Sequence, residues 1–356
     1  MKYIGKNKIL KNSDIGEDEM GFNIKHLNKY WRWFKKNRAE YKDNCKISKE
    51  YAKFCSDLDF ALLMRKSNEE IDRLAMRKHN WVLDYIKHKC PDTIERYRNM
   101  SEPKNLYEPN KEVKVWSMWW QGEEHADKLF KMCIDSARRH TGHDVITLTK
   151  DNYRDYFEIP DYILKKHKEG KIALQHICDL MLVSILAAEG GFFTGATVWW
   201  SQDVTDDFLM TQFYTCRAVT NRKVSMSRSR WVSYLMAGNK DFPLFSFARD
   251  CLHEYWKNCD KAVDYLMIDY IVEIAYQVIP CVKEVIDSLP QSNNLQRNEL
   301  VNELSNPYDE KEFKKFTEGN TFLYKLSWKF GKKTEKTAIG KMTNYGYMLS
   351  ECGDRI

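Results

Sequence analysis

From residue 113 apolar and polar positions alternate: Val113, Val115, Ser117 and Trp119 fall on one face, Lys114, Trp116, Met118 and Trp120 on the other, and Gln121-Gly122 ends the run. This period of two predicts a strand, because successive side chains of an extended chain point to opposite faces. Residues 127–140 then read as a helix and 144–149 as a second strand, closed by an Asp-Asn turn. Ile172 to Glu189 is apolar nearly all round, which predicts a buried helix stopped at Gly190-Gly191. Phe192 to Trp200 follows as a strand buried on both faces. Residues 213–219 and 231–237 read as strands, 244–276 as two helices and 321–328 as a late strand. Strand-helix alternation of this kind predicts an α/β fold, a mostly parallel sheet with helices on both faces.

The first hundred residues have a different pattern. Strand signals are few, and Leu27, Tyr30, Trp31 and Phe34 recur at helical spacing among Lys29, Arg32, Lys35, Lys36 and Arg38. One face of that helix is aromatic and the other cationic. It either rests on an anionic membrane surface or a partner, or packs as an ordinary amphipathic helix on its neighbour. The stretch SEPKNLYEPN (101–110) has the Pro, Ser and Asn content of a linker, so an N-terminal helical region over 1–105 and an α/β domain over 106–356 are expected.

Composition agrees with a packed protein: 43% of residues are hydrophobic and 30% charged, and 11 Trp, 20 Tyr and 17 Phe provide large buried surfaces. The net charge of +6 lies toward the N-terminus, since residues 1–110 carry +7 and the remainder −1. No nucleic-acid-binding signature accompanies it, so no nucleic-acid partner is expected. The ten cysteines include no CxxC pair and read as reduced buried thiols. The opening MKYIGKNKIL lacks the apolar centre of a secretory signal, and the apolar stretch 172–193 is interrupted by Gln175, His176, Asp179 and Glu189. Both point to a cytoplasmic protein.

The common chemistries leave no mark. GxxxxGK[ST], GxGxxG, GxSxG and HExxH are all absent, which removes kinase, dehydrogenase, serine-hydrolase and zinc-protease readings. One polar residue is conspicuous: Asp179 interrupts LQHICDLMLVSILAA, where an unpaired carboxylate would cost roughly 2–7 kcal/mol or more. It is either a structural Asp with a loop amide or Arg as partner, or a ligand-site residue one helix ahead of a glycine turn and a buried strand.

Taken in order, WWQGEE (119–124), Cys133-Ile-Asp-Ser136, HICD (176–179), the Gly-Gly, strand and ATV block (190–198), DYLMIDY (264–270) and KLSWK (325–329) resemble the bacterial capsular polysaccharide synthesis family of sugar transferases. The resemblance covers about residues 80–350. It implies a GT-A-like nucleotide-sugar-binding sheet, a DXD-type retaining glycosyltransferase, a nucleotide-sugar donor (UDP-linked), and a capsular, lipid-linked or other surface glycan as acceptor. It also implies work at the inner face of the cell membrane. Carried over by position, Trp119, Trp120 and Gln121 would lie beside the donor's base, and Asp179 would hold ribose or sugar hydroxyls. Ala196 and Thr197 would line the strand end, while Ser327 and Trp328 would approach the diphosphate. Arg230 and Asp269 are candidates for phosphate or acceptor contacts. Core packing is the competing reading for Trp119.

Two positions depart from the family pattern. Where Asp-Ala-Thr is usual, with the Asp helping to hold a divalent Mn or Mg ion, this chain has Gly195; where an Arg follows the helix Asp by three residues, it has Leu182. Asp203, Asp206 or Asp207 would have to replace the lost ligand, or Lys and Arg would have to supply the positive charge, with Arg222, Lys223, Arg228 and Arg230 as the densest cluster. Three functions stand at this point: an active transferase, a weakened homologue that binds nucleotide-sugar or glycan for pathway assembly, and a membrane- or partner-binding protein with the sheet as scaffold.

Overall fold

The computed structural model describes residues 35–329 and 333–353. The residues of the expected basic aromatic helix at Leu27, Tyr30, Trp31 and Phe34 lie outside the described residues. The chain divides into two compact units, residues 1–56 and 57–356. In order after α1 (Lys49–Leu63), the chain forms α2 (Asn68–Lys89) and α3 (Pro91–Arg98). The Ser67 side chain caps α2 by accepting from the Glu70 amide at 3.2 Å. Glu69 and Glu70 in the first turn and Lys87, His88 and Lys89 in the last complement the helix dipole. The buried stripe of α2, including Ile71, Leu74, Val82, Leu83 and Ile86, faces the rest of its unit.

Helix α3 is fastened to α8 (Pro243–Asn258) by polar pairs. The Glu254 carboxylate accepts from the Asp92 and Thr93 amides at 3.2 and 2.8 Å, and Asp250 accepts from Arg96 and Tyr97 at 2.6 and 2.7 Å. The segment read as a linker has no helix or strand, yet it is pinned. Asn110 donates to the Gly238 carbonyl at 3.0 Å, and Asn239 donates to the carbonyls of Asn105 and Glu108 at 3.0 and 2.7 Å.

The central sheet contains β1 (Val115–Met118), β2 (Val145–Leu148), β3 (Gly191–Thr194), β5 (Phe213–Thr215) and β6 (Leu235–Gly238), in the order β2-β1-β3-β6-β5. β1 pairs in parallel with β2 and with β3, but β6 runs antiparallel to both β3 and β5. The sheet is therefore mixed rather than mostly parallel. The parallel pairs are joined by helices, α4 (Lys128–Thr141) between β1 and β2, and α5 (Asp161–Lys168) with α6 (Leu174–Ala188) between β2 and β3. The link from β5 to β6 is a helix-free loop that returns the chain in the opposite direction. Helix α4 starts where Asp127 accepts from the Phe130 amide at 2.8 Å and ends at left-handed Gly142.

The long strand expected over 192–200 is two strands. After β3 the chain turns at Gly195-Ala196-Thr197, where the Val198 amide donates to the Gly195 carbonyl at 2.9 Å, and β4 (Val198–Trp200) leaves the central sheet to pair antiparallel with β7 (Leu323–Lys325). The turn before β3 requires glycine. Gly190 has φ +68°, and a Cβ there would meet Asn110 Oδ1 at 2.4 Å and the Lys240 amide at 2.9 Å. Many of the tryptophans are core: the Trp116 indole donates to the Gly190 carbonyl at 2.8 Å and Trp200 to Thr194 Oγ1 at 3.1 Å. Leu182 is likewise buried within α6. The remaining elements are α7 (Asp206–Leu209), α9 (Met267–Val278), α10 (Pro280–Ser288), α11 (Leu300–Glu303), α12 (Glu310–Thr317) and α13 (Asn344–Ser350).

Candidate functional site

The carboxyl ends of β1 and β3 lie side by side because the two strands are parallel neighbours. The register of β4 on β7 places Lys325 opposite Val198, so the segment leaving β7 passes the turn that closes β3. Residues distant in sequence thus meet at one edge: Trp119, the 195–197 turn and the 325–328 segment. Trp119 and Trp328 make an edge-on contact with ring centroids 5.8 Å apart. Trp328 is 48% exposed, whereas Trp119 packs on Phe130 at 4.7 Å and buries an indole nitrogen that has no partner among the described residues. Both readings of Trp119 therefore meet in one residue, core on one side and site wall on the other.

Trp120 turns away, stacking on Tyr153 at 6.1 Å and meeting His167 edge-on at 5.9 Å, and Gln121 is exposed. Ala196 is half-buried in the turn and Thr197 is buried. The Lys325 ammonium donates to the Thr197 hydroxyl, and the Leu326 amide donates to the Thr197 carbonyl at 2.7 Å. The Ser327 hydroxyl accepts from the Lys329 amide at 3.0 Å.

Asp179 occupies the second turn of α6, whose first turn lies at the same edge because α6 runs back along β3. Only 6% of the residue is exposed. Its Oδ1 accepts from Gln175 Nε2 at 3.0 Å, while Oδ2 is buried and, among the described residues, has no hydrogen bond, 3.7 Å from a His176 Nδ1 that also has none among them. A carboxylate oxygen left open in a polar corner is suited to accept from a ligand hydroxyl. Tyr265 connects this corner to the β7 exit: its hydroxyl donates to Gln175 Oε1 at 3.5 Å, and Lys329 Nζ lies 6.0 Å from its ring.

Asp269, on α9, lies behind Asp179. Burial pushes its carboxyl up to about 7, the charges of Asp179 and Asp264 push the same way, and hydrogen bonds oppose them, including the Trp231 indole at 3.1 Å. Between pH 4 and 7 the folded chain thus holds a proton at Asp269 that the unfolded chain has released, so stability falls as pH rises through that window and levels off above it. Melting temperatures followed from pH 4.5 to 7.5 should decline for the unmodified chain and decline less steeply for Asp269→Asn. Equal slopes would show that Asp269 ionises without penalty.

Other candidates are not brought to this edge. Arg230 pairs with the buried carboxylate of Glu273 and lies between the rings of Trp231 and Tyr276, 4.5 and 4.6 Å from their centroids, which makes it a packing element. Two of its cluster neighbours are also engaged, Arg222 with Asp72 at 3.1 Å and Arg228 with the Met76 sulfur at 3.6 Å, whereas of Lys223 it is the backbone carbonyl that meets His79, at 3.1 Å. Asp203 is 88% exposed and bonds His140, and Asp206 bonds His143, each at 2.7 Å. Those histidines flank the segment entering β2, at the opposite edge of the sheet from Gly195.

At position 195, where the family pattern puts a carboxylate, the chain offers none to a divalent cation. Among the described residues no group of three or more His, Cys, Asp and Glu side chains is placed to hold one. Gly195 itself faces the Tyr234 backbone: a Cβ there would lie 2.5 Å from the Tyr234 carbonyl oxygen. Glycine is required by close approach, and Gly195→Asp should cost roughly 1–3 kcal/mol of stability by forcing that backbone away. Urea titrations of the two chains check this, and an unchanged midpoint would show that Tyr234 yields freely.

Residues 64–345 match the model of the family described as capsular polysaccharide synthesis protein, a span that takes in α2 through β7 and the whole edge just described. The chain belongs to the capsular polysaccharide synthesis protein family. No curated protein and no solved structure matches it. Within this family member the sequence pattern pointed to Trp119, Asp179, Thr197, Ser327 and Trp328; of these Trp119 and Trp328 touch, and Thr197 is bonded to Lys325 on the segment that carries Ser327. It missed Gln175, Tyr234, Tyr265 and Lys325, although Lys325 opens the KLSWK motif. No helix among the described residues is long and apolar enough to cross a membrane.

Proposed function

We propose that this capsular polysaccharide synthesis protein transfers a sugar from a nucleotide-sugar, with a UDP-sugar as the first donor to test, to a capsular or other surface glycan, with a GT-A-like arrangement and retention of configuration. The observation that carries the reading is the buried, unpartnered Oδ2 of Asp179, linked through Gln175 and Tyr265 to the segment leaving β7, where Trp119, Trp328 and the Thr197–Lys325 pair meet. In this scheme the exposed Trp328 face and the Trp119 edge support the base, since an aromatic surface stacks on any nucleobase. Asp179 accepts from vicinal hydroxyls of ribose or sugar. The Ser327 hydroxyl and Trp328 indole approach the diphosphate as neutral donors. The acceptor, a glycan or lipid-linked glycan, would be met at the membrane's inner face, with the basic aromatic segment around Trp31 as peripheral contact.

The crowded Cβ space at Gly195 favours a second reading, a homologue that binds nucleotide-sugar but turns it over slowly. A thermal-shift screen of UDP-, GDP- and CMP-sugars, followed by donor hydrolysis with the stabilising compound, separates the two. A ligand at 100 times its Kd stabilises by about 2.7 kcal/mol. Stabilisation with hydrolysis supports the transferase, and stabilisation without it supports the weakened homologue. A screen in which no nucleotide-sugar stabilises the chain removes both.

A further inference from the structure

Lys325 is an unusual cation. The residue as a whole is half-buried, and its ammonium, drawn in at the β3 turn, donates to the Thr197 hydroxyl and sits 5.0 Å from the centroid of the Tyr234 ring. No carboxylate among the described residues pairs with it. The groups that face it are the Cys133 thiol on α4, the Tyr234 ring before β6 and the Lys329 ammonium further along its own segment. Burial lowers its ammonium to about 8, and Lys329 pushes the same way. Burial raises the Cys133 thiol well above its ordinary value, so the thiol is neutral and no counter-charge. A second cation, buried Arg297, is linked to the same place: its carbonyl accepts from the Lys325 amide at 2.7 Å, its guanidinium reaches the Tyr234 hydroxyl, and it too meets no carboxylate among the described residues. Desolvated cations without an acid partner cost stability unless an anion completes them.

Tyr234 joins this observation to the missing carboxylate. Its carbonyl fills the space that a side chain at position 195 would need, and its ring lies against Lys325. The position that would have brought negative charge, and with it a metal ion, is closed, and a lysine stands one turn away. A phosphate oxygen presented there would find the Lys325 ammonium, held in place by the buried Thr197 hydroxyl, a charge-assisted arrangement that needs no divalent ion.

We propose that Lys325 supplies the positive charge that binds the diphosphate of the donor in this chain, in place of a divalent cation held by a carboxylate at position 195. The proposal rests on the nucleotide-sugar reading for the identity of the ligand, but the cation-and-hydroxyl cradle would also take inorganic pyrophosphate. Calorimetric titrations in EDTA with pyrophosphate, UDP and uridine therefore test the two separately, using the full chain, Lys325→Met and Lys325→Arg. The expected result is that pyrophosphate and UDP bind the unmodified chain equally with EDTA or with added manganese. Lys325→Met should weaken both by at least about 30-fold while leaving uridine unchanged, and Lys325→Arg should retain most of the affinity. Pyrophosphate binding that depends on Lys325, without any binding of UDP, GDP or CMP, would leave this proposal standing and remove the nucleotide-sugar reading. Binding that disappears in EDTA and returns with manganese, equal affinity of Lys325→Met, or no binding of either phosphate compound by the unmodified chain would overturn it. If Lys325→Met melts early, the comparison of EDTA with manganese and the Lys325→Arg variant decide.

Discussion

Asp179→Asn is expected to reduce sugar transfer or donor hydrolysis by at least about 100-fold, as removal of a single preorganised partner in an enclosed site commonly does. The substitution keeps the volume and the oxygen that accepts from Gln175 at 3.0 Å, but replaces the open Oδ2 with an amide that donates. A hydroxyl-binding site would then present the wrong polarity to the ligand. Stability should change by only about 1 kcal/mol, because the new amide lies 3.7 Å from His176 Nδ1, which can accept when neutral. Steady-state kinetics with the donor found by the screen, together with a melting curve, read both effects. A variant that melts far earlier, alongside an unmodified chain that binds no nucleotide-sugar, would show that Asp179 is a core residue.

The largest loss of stability is expected at Arg230. In Arg230→Met the Glu273 carboxylate, buried on α9, loses its cation, and breaking a buried pair in this one-sided way costs about 3–5 kcal/mol. The stacking of the guanidinium between Trp231 and Tyr276 is lost as well. Replacing both charges, Arg230→Met with Glu273→Leu, should recover much of the loss, since no uncompensated charge then remains in the interior. Urea unfolding of the two variants checks this. An Arg230→Met chain with unchanged stability but weakened nucleotide binding would return Arg230 to the role of phosphate contact that the sequence suggested.

The contrast between Arg230 and Lys325 shows where sequence reading was limited. In the sequence both are basic residues beside an aromatic: Arg230 precedes Trp231 in a cationic cluster, and Lys325 opens a short motif after a strand. Nothing in local spacing says that Glu273, 43 positions later, neutralises the first, or that the second meets a hydroxyl and a ring and, among the described residues, no carboxylate. Asp203 is a similar case. It follows the Gly195 turn closely in sequence, but β4 carries the chain across to His140, so a ligand substitution that looks local in sequence is excluded by strand direction.

The sequence by itself determined the elements whose signals are local. Period-two alternation placed β1, the run closed by an Asp-Asn turn placed β2, the apolar helix and its glycine stop placed α6 and the start of β3, and Asp127 marked the start of α4, because propensity, capping and side-chain periodicity act within a few residues. Six short motifs in order were also sufficient to indicate the family. Tertiary structure alone decided the antiparallel course of β6, the division of the 192–200 run between two sheets, and the meeting of residues 119, 197, 325 and 328 at one edge. Pairing direction, charge neutralisation and close approach, such as that of Gly195 to the Tyr234 carbonyl, depend on partners far away in the chain. Their energies arise only when packing brings those partners together and excludes water from between them.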